Sequence, residues 1–525
     1  MTGKSKTRAL GAVMAGVLVT LPPFSAAAVE ADRPPAELSP NLAGLPAPKQ
    51  FVTHHQVSIH GQAIRFTATA GETYIFGERG EPIATIFAYA FIKDGGEPDR
   101  PVLFYFPGGP GGATEAGVAN YGPWRVKMAQ LEDGKLPRSV PPFEIGDNPN
   151  SLLDVADLVF VDPIGTGYSR IVRDGKPEDF YGIDEDIDVA AQFVEQWLVK
   201  NNRWNSPHFL AGESYGGLRA ALYPRAFNGD VTSGFVRGIT LNGVIPIVNS
   251  LGYPGWGDEG LGPVMAQAST FPSYAVAAWY HQTIDRKGRS LETYFEEAYR
   301  YAVGPYADAL RKDAAGALPP EERRQVVAKL VEFTGLPTSA FAKKLTIDVP
   351  DFCKLLLASR GLQIAAYDSR LTRPLAGGGP DLVGDDPALA RELPIAIGGY
   401  RLVEHDKLGI AMPRPFLAQN FRDVAMRWNT KRRPIAFEGE SFKFAAQDLA
   451  SAMVQNDDLH VLNVSGYFDL VMPSGQARLA AEMARLPAGR TTVKAYRTGH
   501  METGGEVTAQ VAEDMRAFIQ KASER

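Results

Sequence analysis

The fold of this chain is decided by residues 208–222, HFLAGESYGGLRAAL. A short apolar strand over His208–Ala211 ends at the pattern G-x-S-x-G over Gly212–Gly216, and a helical stretch follows to Leu222. The five-residue pattern alone is weak, but between a strand and a helix it is typical of a nucleophile elbow, a tight turn that pushes the serine hydroxyl out of the backbone. Ser214 is therefore the predicted nucleophile, and the N–H groups that open the helix would face developing negative charge.

Strands and helices alternate on both sides of this turn. Short apolar or β-branched runs predict strands at Gln56–Ile59, Ala63–Thr69, Ala84–Phe91, Val102–Phe106, Leu158–Val161, Phe235–Leu241, Val461–Val464 and Thr492–Tyr496. Apolar residues at helical spacing predict helices over Ile187–Trp197, Ala445–Met453 and Val507–Gln520. This alternation is typical of an α/β protein with a mostly parallel central sheet flanked by helices.

The alternation lapses between Val248 and Arg433, where amphipathic stretches predict helices instead. These stretches are Leu291–Val303, Pro320–Phe333 and Ala342–Arg360. We interpret residues 248–433 as a large helical cap inserted into the core, whose two parts are then residues 51–247 and 434–525.

The N-terminus has the three-part pattern of a secretory signal peptide over residues 1–28. Three basic residues precede an apolar run from Ala9 to Leu21, and small residues follow at 25–28. The apolar run is shorter than the roughly 20 residues that a membrane-spanning helix needs. We therefore expect a cleaved leader, a flexible segment over residues 29–50, no stable membrane insertion after cleavage, and a periplasmic or secreted protein.

Composition excludes several classes of function. The 525 residues are 45% hydrophobic and 22% charged, as in an average soluble protein, and the net charge of −6 does not suit nucleic-acid binding. Cys353 is the only cysteine, so the chain can form no intrachain disulfide. A G-x-G-x-x-G match at Gly255–Gly260 lacks a strand directly before it, and the histidines near residue 55 lack ligand partners at metal-site spacing. No metal or cofactor is implied.

An activated serine also needs a base and an orienting carboxylate, in the chain order Ser, acid, His. Asp469 follows the predicted strand Val461–Val464, and His500 follows Thr492–Tyr496. A Gly-rich loop from Pro107 to Gly112 follows an earlier strand and could supply one backbone N–H to an oxyanion hole. The sequence thus predicts a catalytic triad of Ser214, Asp469 and His500.

Four segments resemble the serine carboxypeptidases of the α/β-hydrolase fold: Gly108–Gly111, Asp162–Ser169 preceded by Asn148–Ser151, Gly212–Gly217, and Gly499–Met501. The resemblance implies an α/β-hydrolase fold and the same triad. It further implies that Gly109 and Tyr215 donate their N–H groups to the oxyanion, and that Glu213 binds the terminal carboxylate of the substrate. The absence of disulfides suggests a bacterial-type branch of this family.

One position departs from the family pattern. Pro107 stands where these proteins carry an asparagine that donates to the substrate's terminal carboxylate, and proline offers no side-chain donor. We expect an exported serine-type peptidase, most simply a carboxypeptidase, acting on a peptide or small acyl substrate. An esterase or acyltransferase, an aminopeptidase, and a binding protein without turnover stay open, and the sequence does not indicate an oligomeric state.

Overall fold

The computed structural model describes residues 46–126, 140–230, 235–252, 262–375, 386–433, 444–501 and 506–524. The predicted leader at 1–28, most of the segment 29–50 and the Gly255–Gly260 match lie outside the described residues, and the predicted localisation stays a prediction. Among the residues described, no helix combines the length and the apolar character needed to cross a membrane.

The strands are β1 (Gln50–Ile59), β2 (Gln62–Phe76), β3 (Pro82–Lys93), β4 (Val102–Phe106), β5 (Trp124–Val126), β6 (Ile145–Asp147), β7 (Asp157–Asp162), β8 (Arg170–Ile171), β9 (His208–Glu213), β10 (Gly229–Asp230), β11 (Phe235–Val236), β12 (Gly243–Ile247), β13 (Leu362–Ile364), β14 (Thr372–Pro374), β15 (His460–Gly466) and β16 (Thr491–Tyr496). The α-helices are α1 (Glu115–Tyr121), α2 (Ile183–Lys200), α3 (Tyr215–Asn228), α4 (Gly262–Tyr280), α5 (Leu291–Tyr301), α6 (Ala307–Ala314), α7 (Pro320–Thr334), α8 (Val349–Leu355), α9 (Leu389–Leu402), α10 (Ala445–Gln455), α11 (Ser474–Met483) and α12 (Glu506–Ala522).

One large sheet organises the chain, with the strand order β1-β2-β3-β7-β4-β9-β12-β15-β16. The first three strands and the β3–β7 pair are antiparallel, and every pair from β7 to β16 is parallel. Parallel strands whose connections are helical leave helices on both faces of a sheet. This topology confirms the predicted α/β-hydrolase fold and puts the carboxyl ends of β4, β9, β15 and β16 along one edge.

The core lies on both faces of this sheet because side chains alternate along each strand. In β4, Phe104 and Phe106 pack with α2, α3 and α10, while Leu103 and Tyr105 pack with α1 and α12 on the other face. All five residues of β4 are buried, so the strand is a continuous apolar run with the bounds predicted from the sequence.

The strand predicted at Phe235–Leu241 was wrong in extent, because only Phe235–Val236 is a strand, β11, which pairs with β10 and lies outside the large sheet. The N–H groups of Arg237 and Gly238 both donate to the Asn228 carbonyl at the end of α3, at 3.2 and 3.0 Å, so this segment closes a turn. The strand of the large sheet is β12, which starts at Gly243. A Cβ atom there would lie 2.7 Å from the Phe518 ring, so the close approach of α12 explains the glycine.

Between β12 and α10 the chain forms α4 to α9 and the β13–β14 hairpin. Helices α4 to α8 and strand β13 share an apolar cluster of their own, whereas Tyr400 of α9 packs in a cluster that lies on the large sheet. We call residues 262–375 and 386–433 the inserted region. The long helix predicted over Ala342–Arg360 was wrong in extent, because only Val349–Leu355 is α-helical. Pro350 in the first turn explains the late start, since proline fits a helix only where its missing N–H is not needed.

Candidate active site

Ser214 occupies the turn between β9 and α3 with a backbone φ of +57°. A positive φ is uncommon for a residue other than glycine and needs support from its surroundings. Here the Ser214 N–H donates to the Ile247 carbonyl at 2.9 Å, and its own carbonyl accepts from the Gly217 N–H at 2.9 Å and the Asn249 amide at 2.8 Å. The end of β12 thus holds the predicted nucleophile in its strained conformation.

The glycines of G-x-S-x-G are explained by close backbone contacts. A Cβ atom on Gly212 would lie 2.3 Å from the Gly216 carbonyl oxygen, and one on Gly216 would lie 2.0 Å from the Phe106 carbonyl oxygen. Neither position can take a side chain unless β4, β9 and α3 move apart. The pattern therefore marks the place where these three elements meet.

Asp469 and His500 form a buried hydrogen-bonded pair. Asp469 Oδ2 lies 2.7 Å from His500 Nδ1, and their exposed fractions are 0% and 3%. The other carboxylate oxygen, Asp469 Oδ1, accepts the N–H groups of Val471 and Met472 at 2.8 and 2.9 Å. A carboxylate that faces Nδ1 favours the tautomer with hydrogen on that nitrogen, which leaves Nε2 as the basic atom.

The pKa of His500 is raised above its usual value. Burial lowers this pKa, but the charge and hydrogen bond of Asp469 raise it more, and the charge of Glu213 adds to the increase. The imidazole is thus a stronger base than a free histidine while it stays shielded from water.

The sheet brings the predicted nucleophile to the same edge as this pair. Ser214 follows β9, Asp469 follows β15 and His500 follows β16, and these strands run parallel with only β12 between β9 and β15. Glu213, next to Ser214, interacts electrostatically with both His500 and Asp469. The three residues of the predicted triad therefore cluster at one end of the parallel sheet.

The loop after β4, residues 107–112, lies directly against the elbow. A Cβ atom on Gly108 would be 2.9 Å from Ser214 Cβ, so the loop passes beside the serine at backbone distance. Gly109 has a φ of +115°, and a Cβ there would lie 2.4 Å from the Gly111 nitrogen. Tyr215 opens α3, where the first-turn N–H groups point toward the helix N-terminus. Tyr215 is thus next to Ser214 in the chain, and Gly109 follows the glycine that packs against Ser214. Their role as oxyanion donors stays a prediction.

Glu213 is buried, with an exposed fraction of 7%, and its Oε2 atom accepts the Tyr105 hydroxyl at 3.2 Å. Burial raises the pKa of this carboxyl, and the positive charge of His500 opposes the increase. A carboxyl group of this kind holds its proton to higher pH than an exposed one and can then donate a hydrogen bond.

The sequence did not indicate the support of His500 by the inserted region. Residues 365–371 form the loop between β13 and β14, and we call this loop the His500 strap. The Tyr367 carbonyl accepts the backbone N–H of His500 at 2.6 Å. The rings of the two residues also pack edge to face, with centroids 5.0 Å apart. The Leu470 N–H donates to the Ala366 carbonyl at 3.0 Å, so the strap holds both loops of the acid–base pair.

No pattern of residue types distinguishes the strap from an ordinary hairpin loop. Its aspartate and arginine, Asp368 and Arg370, pair with each other, and the Arg370 Nη1 group donates to the Arg497 carbonyl at 2.9 Å. The strap could be identified only from the three-dimensional contacts. Within the described part of the chain, no group of three or more His, Cys, Asp or Glu residues is arranged to hold a metal ion.

Comparison with known proteins adds the family context. A family model described as serine carboxypeptidase matches residues 79–254, which include the loop after β4 and the elbow. Serine carboxypeptidase-like 5 of Arabidopsis thaliana is 32% identical over 153 residues, covering 28% of this chain and 32% of that protein. Serine carboxypeptidase-like 2 of the same organism is 31% identical over 153 residues, with the same coverage. Both comparisons support a serine hydrolase.

The chain spans about a third of the length of these curated relatives. They are plant proteins, so they give no support to the bacterial-type branch expected from the missing disulfides. Among solved structures, a proline iminopeptidase of Mycobacterium smegmatis aligns with a TM-score of 0.35 and 12% identity, over 86% of this chain and 99% of that chain.

Proposed function

We propose that the protein is a serine-type peptidase that cleaves peptides near their C-terminus through an acyl-enzyme. The observation that carries the proposal is the buried Asp469–His500 pair at the sheet edge that also bears the Ser214 elbow. A nucleophile, a base and an orienting acid in this chain order are the parts that acyl transfer needs. The match to serine carboxypeptidases favours a peptide as the substrate.

In the first step, His500 Nε2 takes the proton of Ser214 Oγ while the oxygen attacks the acyl carbon. The carbonyl oxygen becomes an oxyanion, which the N–H groups of Gly109 and Tyr215 bind. The intermediate collapses as His500 gives the proton to the leaving amine. Water then attacks the acyl-enzyme with His500 again as the base, which releases the acid and restores Ser214.

Glu213 is the proposed contact for the terminal carboxylate of the substrate. Because burial raises the pKa of Glu213, its protonated form persists to higher pH and can donate to that carboxylate. Pro107 supplies no side-chain donor, so Glu213 would carry this recognition without the asparagine of the family. This difference also favours a second candidate, an esterase that needs no carboxylate contact.

An assay with three substrates separates the candidates. The purified protein is given an N-blocked dipeptide, a peptide with a free N-terminus, and a short-chain ester. Turnover of the blocked dipeptide supports a carboxypeptidase, turnover of the unblocked peptide alone an aminopeptidase, and turnover of the ester alone an esterase. Ser214→Ala should abolish each activity, whereas Ser339→Ala, an exposed serine of the inserted region, should not. Absence of any turnover that depends on Ser214 would reject the proposal.

The role of Glu213 has its own test. In the wild type, KM for a peptide with a free carboxyl terminus should rise with pH as Glu213 loses its proton. In Glu213→Gln the amide donates at every pH, so this rise should disappear and the pH optimum of peptide cleavage should move upward. The same peptide with an amidated C-terminus is the control and should show no such dependence. An unchanged KM profile for the free acid would exclude the contact.

A further inference from the structure

Arg219 is a fully buried cation in the second turn of α3, with an exposed fraction of 1%. Asp186 of α2 binds its guanidinium through two contacts, from Nε to Oδ2 at 2.7 Å and from Nη2 to Oδ1 at 3.1 Å. The Tyr223 hydroxyl also donates to Asp186 Oδ2 at 2.7 Å. This two-pronged pairing fixes the plane of the guanidinium as well as its position.

The third contact of Arg219 is with the loop after β4. Its Nη1 atom donates to the Pro107 carbonyl oxygen at 2.5 Å. Pro107 opens the loop that carries Gly109, and its carbonyl belongs to the peptide unit that leads into Gly108. The bond therefore sets the orientation of the backbone just before the predicted oxyanion donor.

Arg219 also contacts the other predicted donor residue. Its guanidinium carbon lies 4.9 Å from the centre of the Tyr215 ring, within cation–π range. The same ring packs edge to face on Trp428, with centroids 5.3 Å apart. One fixed cation thus touches the backbone of the loop after β4 and the side chain of Tyr215, the residue that follows Ser214.

We propose that Arg219 is a positioning residue that sets the distance and angle between the Gly109 and Tyr215 N–H groups of the oxyanion hole. Its role rests on the proposed function, because only a reaction that builds negative charge on a carbonyl oxygen uses that alignment. A purely structural arginine would affect stability and leave the chemical step alone. A positioning arginine affects the transition state more than the bound substrate.

The test compares Arg219→Lys and Arg219→Met with the wild type and with a matched control. Arg516 is the control, because it is also a buried arginine that binds a carboxylate, Asp154 at 2.7 Å, and a backbone carbonyl, Ser151 at 2.9 Å. These partners lie outside the site, so Arg516→Met should lower stability without changing turnover per folded molecule.

Removal of one oxyanion donor costs about 10²–10³ in kcat, and misplacing both donors slightly should cost Arg219→Met about 10–100-fold. Affinity for a boronic acid, whose adduct on Ser214 mimics the tetrahedral intermediate, should fall by a similar factor. The inhibition constant of the product acid should change less than about twofold, since it reports ground-state binding. Arg219→Lys keeps the charge but loses the planar guanidinium that binds Asp186 through two nitrogens. Its kcat and boronate affinity should therefore lie between those of the wild type and Arg219→Met.

Near-UV circular dichroism shows whether each variant is folded. A folded Arg219→Met with wild-type turnover and boronate affinity would overturn the positioning role, as would an equal loss in Arg516→Met. If Arg219→Met does not fold, the decision rests on Arg219→Lys and on Tyr223→Phe, which removes one bond to Asp186; wild-type values in both would reject the proposal.

The wild type separates this proposal from the proposed function. If the wild type reacts with a fluorophosphonate at Ser214 but cleaves no substrate tested, the peptidase proposal fails and the Arg219 role is judged by the rate of that reaction. If the wild type shows neither reaction, both proposals fail.

Discussion

The carboxyl edge of the parallel sheet and the inserted region contribute to the same site in different ways. The edge supplies the reactive groups, each on the short turn that follows a strand. The inserted region supplies backbone contacts: the His500 strap binds the backbone N–H of His500, and Asn420 binds the loop after β4 by donating its backbone N–H to the Gly111 carbonyl at 2.7 Å. Each reactive group thus lies on the turn that ends its own strand, whereas the groups that support it come from distant parts of the chain.

The largest effect is expected at the edge, from Asp469→Asn. This change removes the charge that holds His500 in its tautomer and should lower kcat about 10⁴-fold, as loss of the acid does in other triads. The pKa of His500 should also fall, because Asp469 raises it. Since the base works only when unprotonated, the acid limb of kcat/KM should move to lower pH.

Asp458→Asn is the control for this experiment, because Asp458 is an exposed carboxylate before β15. Steady-state assays across pH would compare both variants with the wild type. A loss of less than tenfold in Asp469→Asn would mean that the edge does not carry the acid of a triad.

The sequence predicts the sheet edge better than it predicts the contacts that support it. Ser214, Asp469 and His500 could be predicted as a triad because each follows a recognisable strand, and β4 was predicted with its observed bounds. The contacts of Tyr367 and Arg219 were not predicted, because a tyrosine in a hairpin loop and an arginine on a helix match no local rule. The strand predicted at Phe235–Leu241 ends early for the same reason, since the bonds from Arg237 and Gly238 to Asn228 depend on how α3 ends.

We expect an effect of intermediate size on stability when a glycine at the sheet edge is replaced by alanine, and a smaller one for a glycine of the inserted region. In Gly216→Ala the new Cβ would lie 2.0 Å from a backbone oxygen of β4, so the strand and helix must separate. We expect a loss of about 1–3 kcal/mol in the free energy of unfolding. In Gly398→Ala, within α9, the new Cβ would meet the Phe143 ring at 2.5 Å, and a partly exposed ring can rotate away.

Gly398→Ala should also stabilise α9, since alanine favours a helix over glycine by up to about 1 kcal/mol. Gly398→Ala should therefore stay within about 1 kcal/mol of the wild type. Denaturant titration of both variants measures the difference. Equal losses would show that backbone contact does not distinguish the edge from the inserted region.

The smallest effect is expected from the strap, in Tyr367→Leu. The backbone bond to His500 is kept, and only the edge-to-face ring contact is lost. Such a contact is worth about 0.5–1.5 kcal/mol, so kcat/KM should fall by roughly 2- to 13-fold. The direction in which the pH profile shifts tests the strap better than the size of the loss in kcat/KM. Burial lowers the pKa of His500, so admitting water beside the ring should raise it and move the acid limb to higher pH, opposite to Asp469→Asn. Tyr367→Phe keeps the ring and should match the wild type, whereas a downward shift in Tyr367→Leu would mean that the strap acts on the charge of Asp469 and not on the solvent around His500.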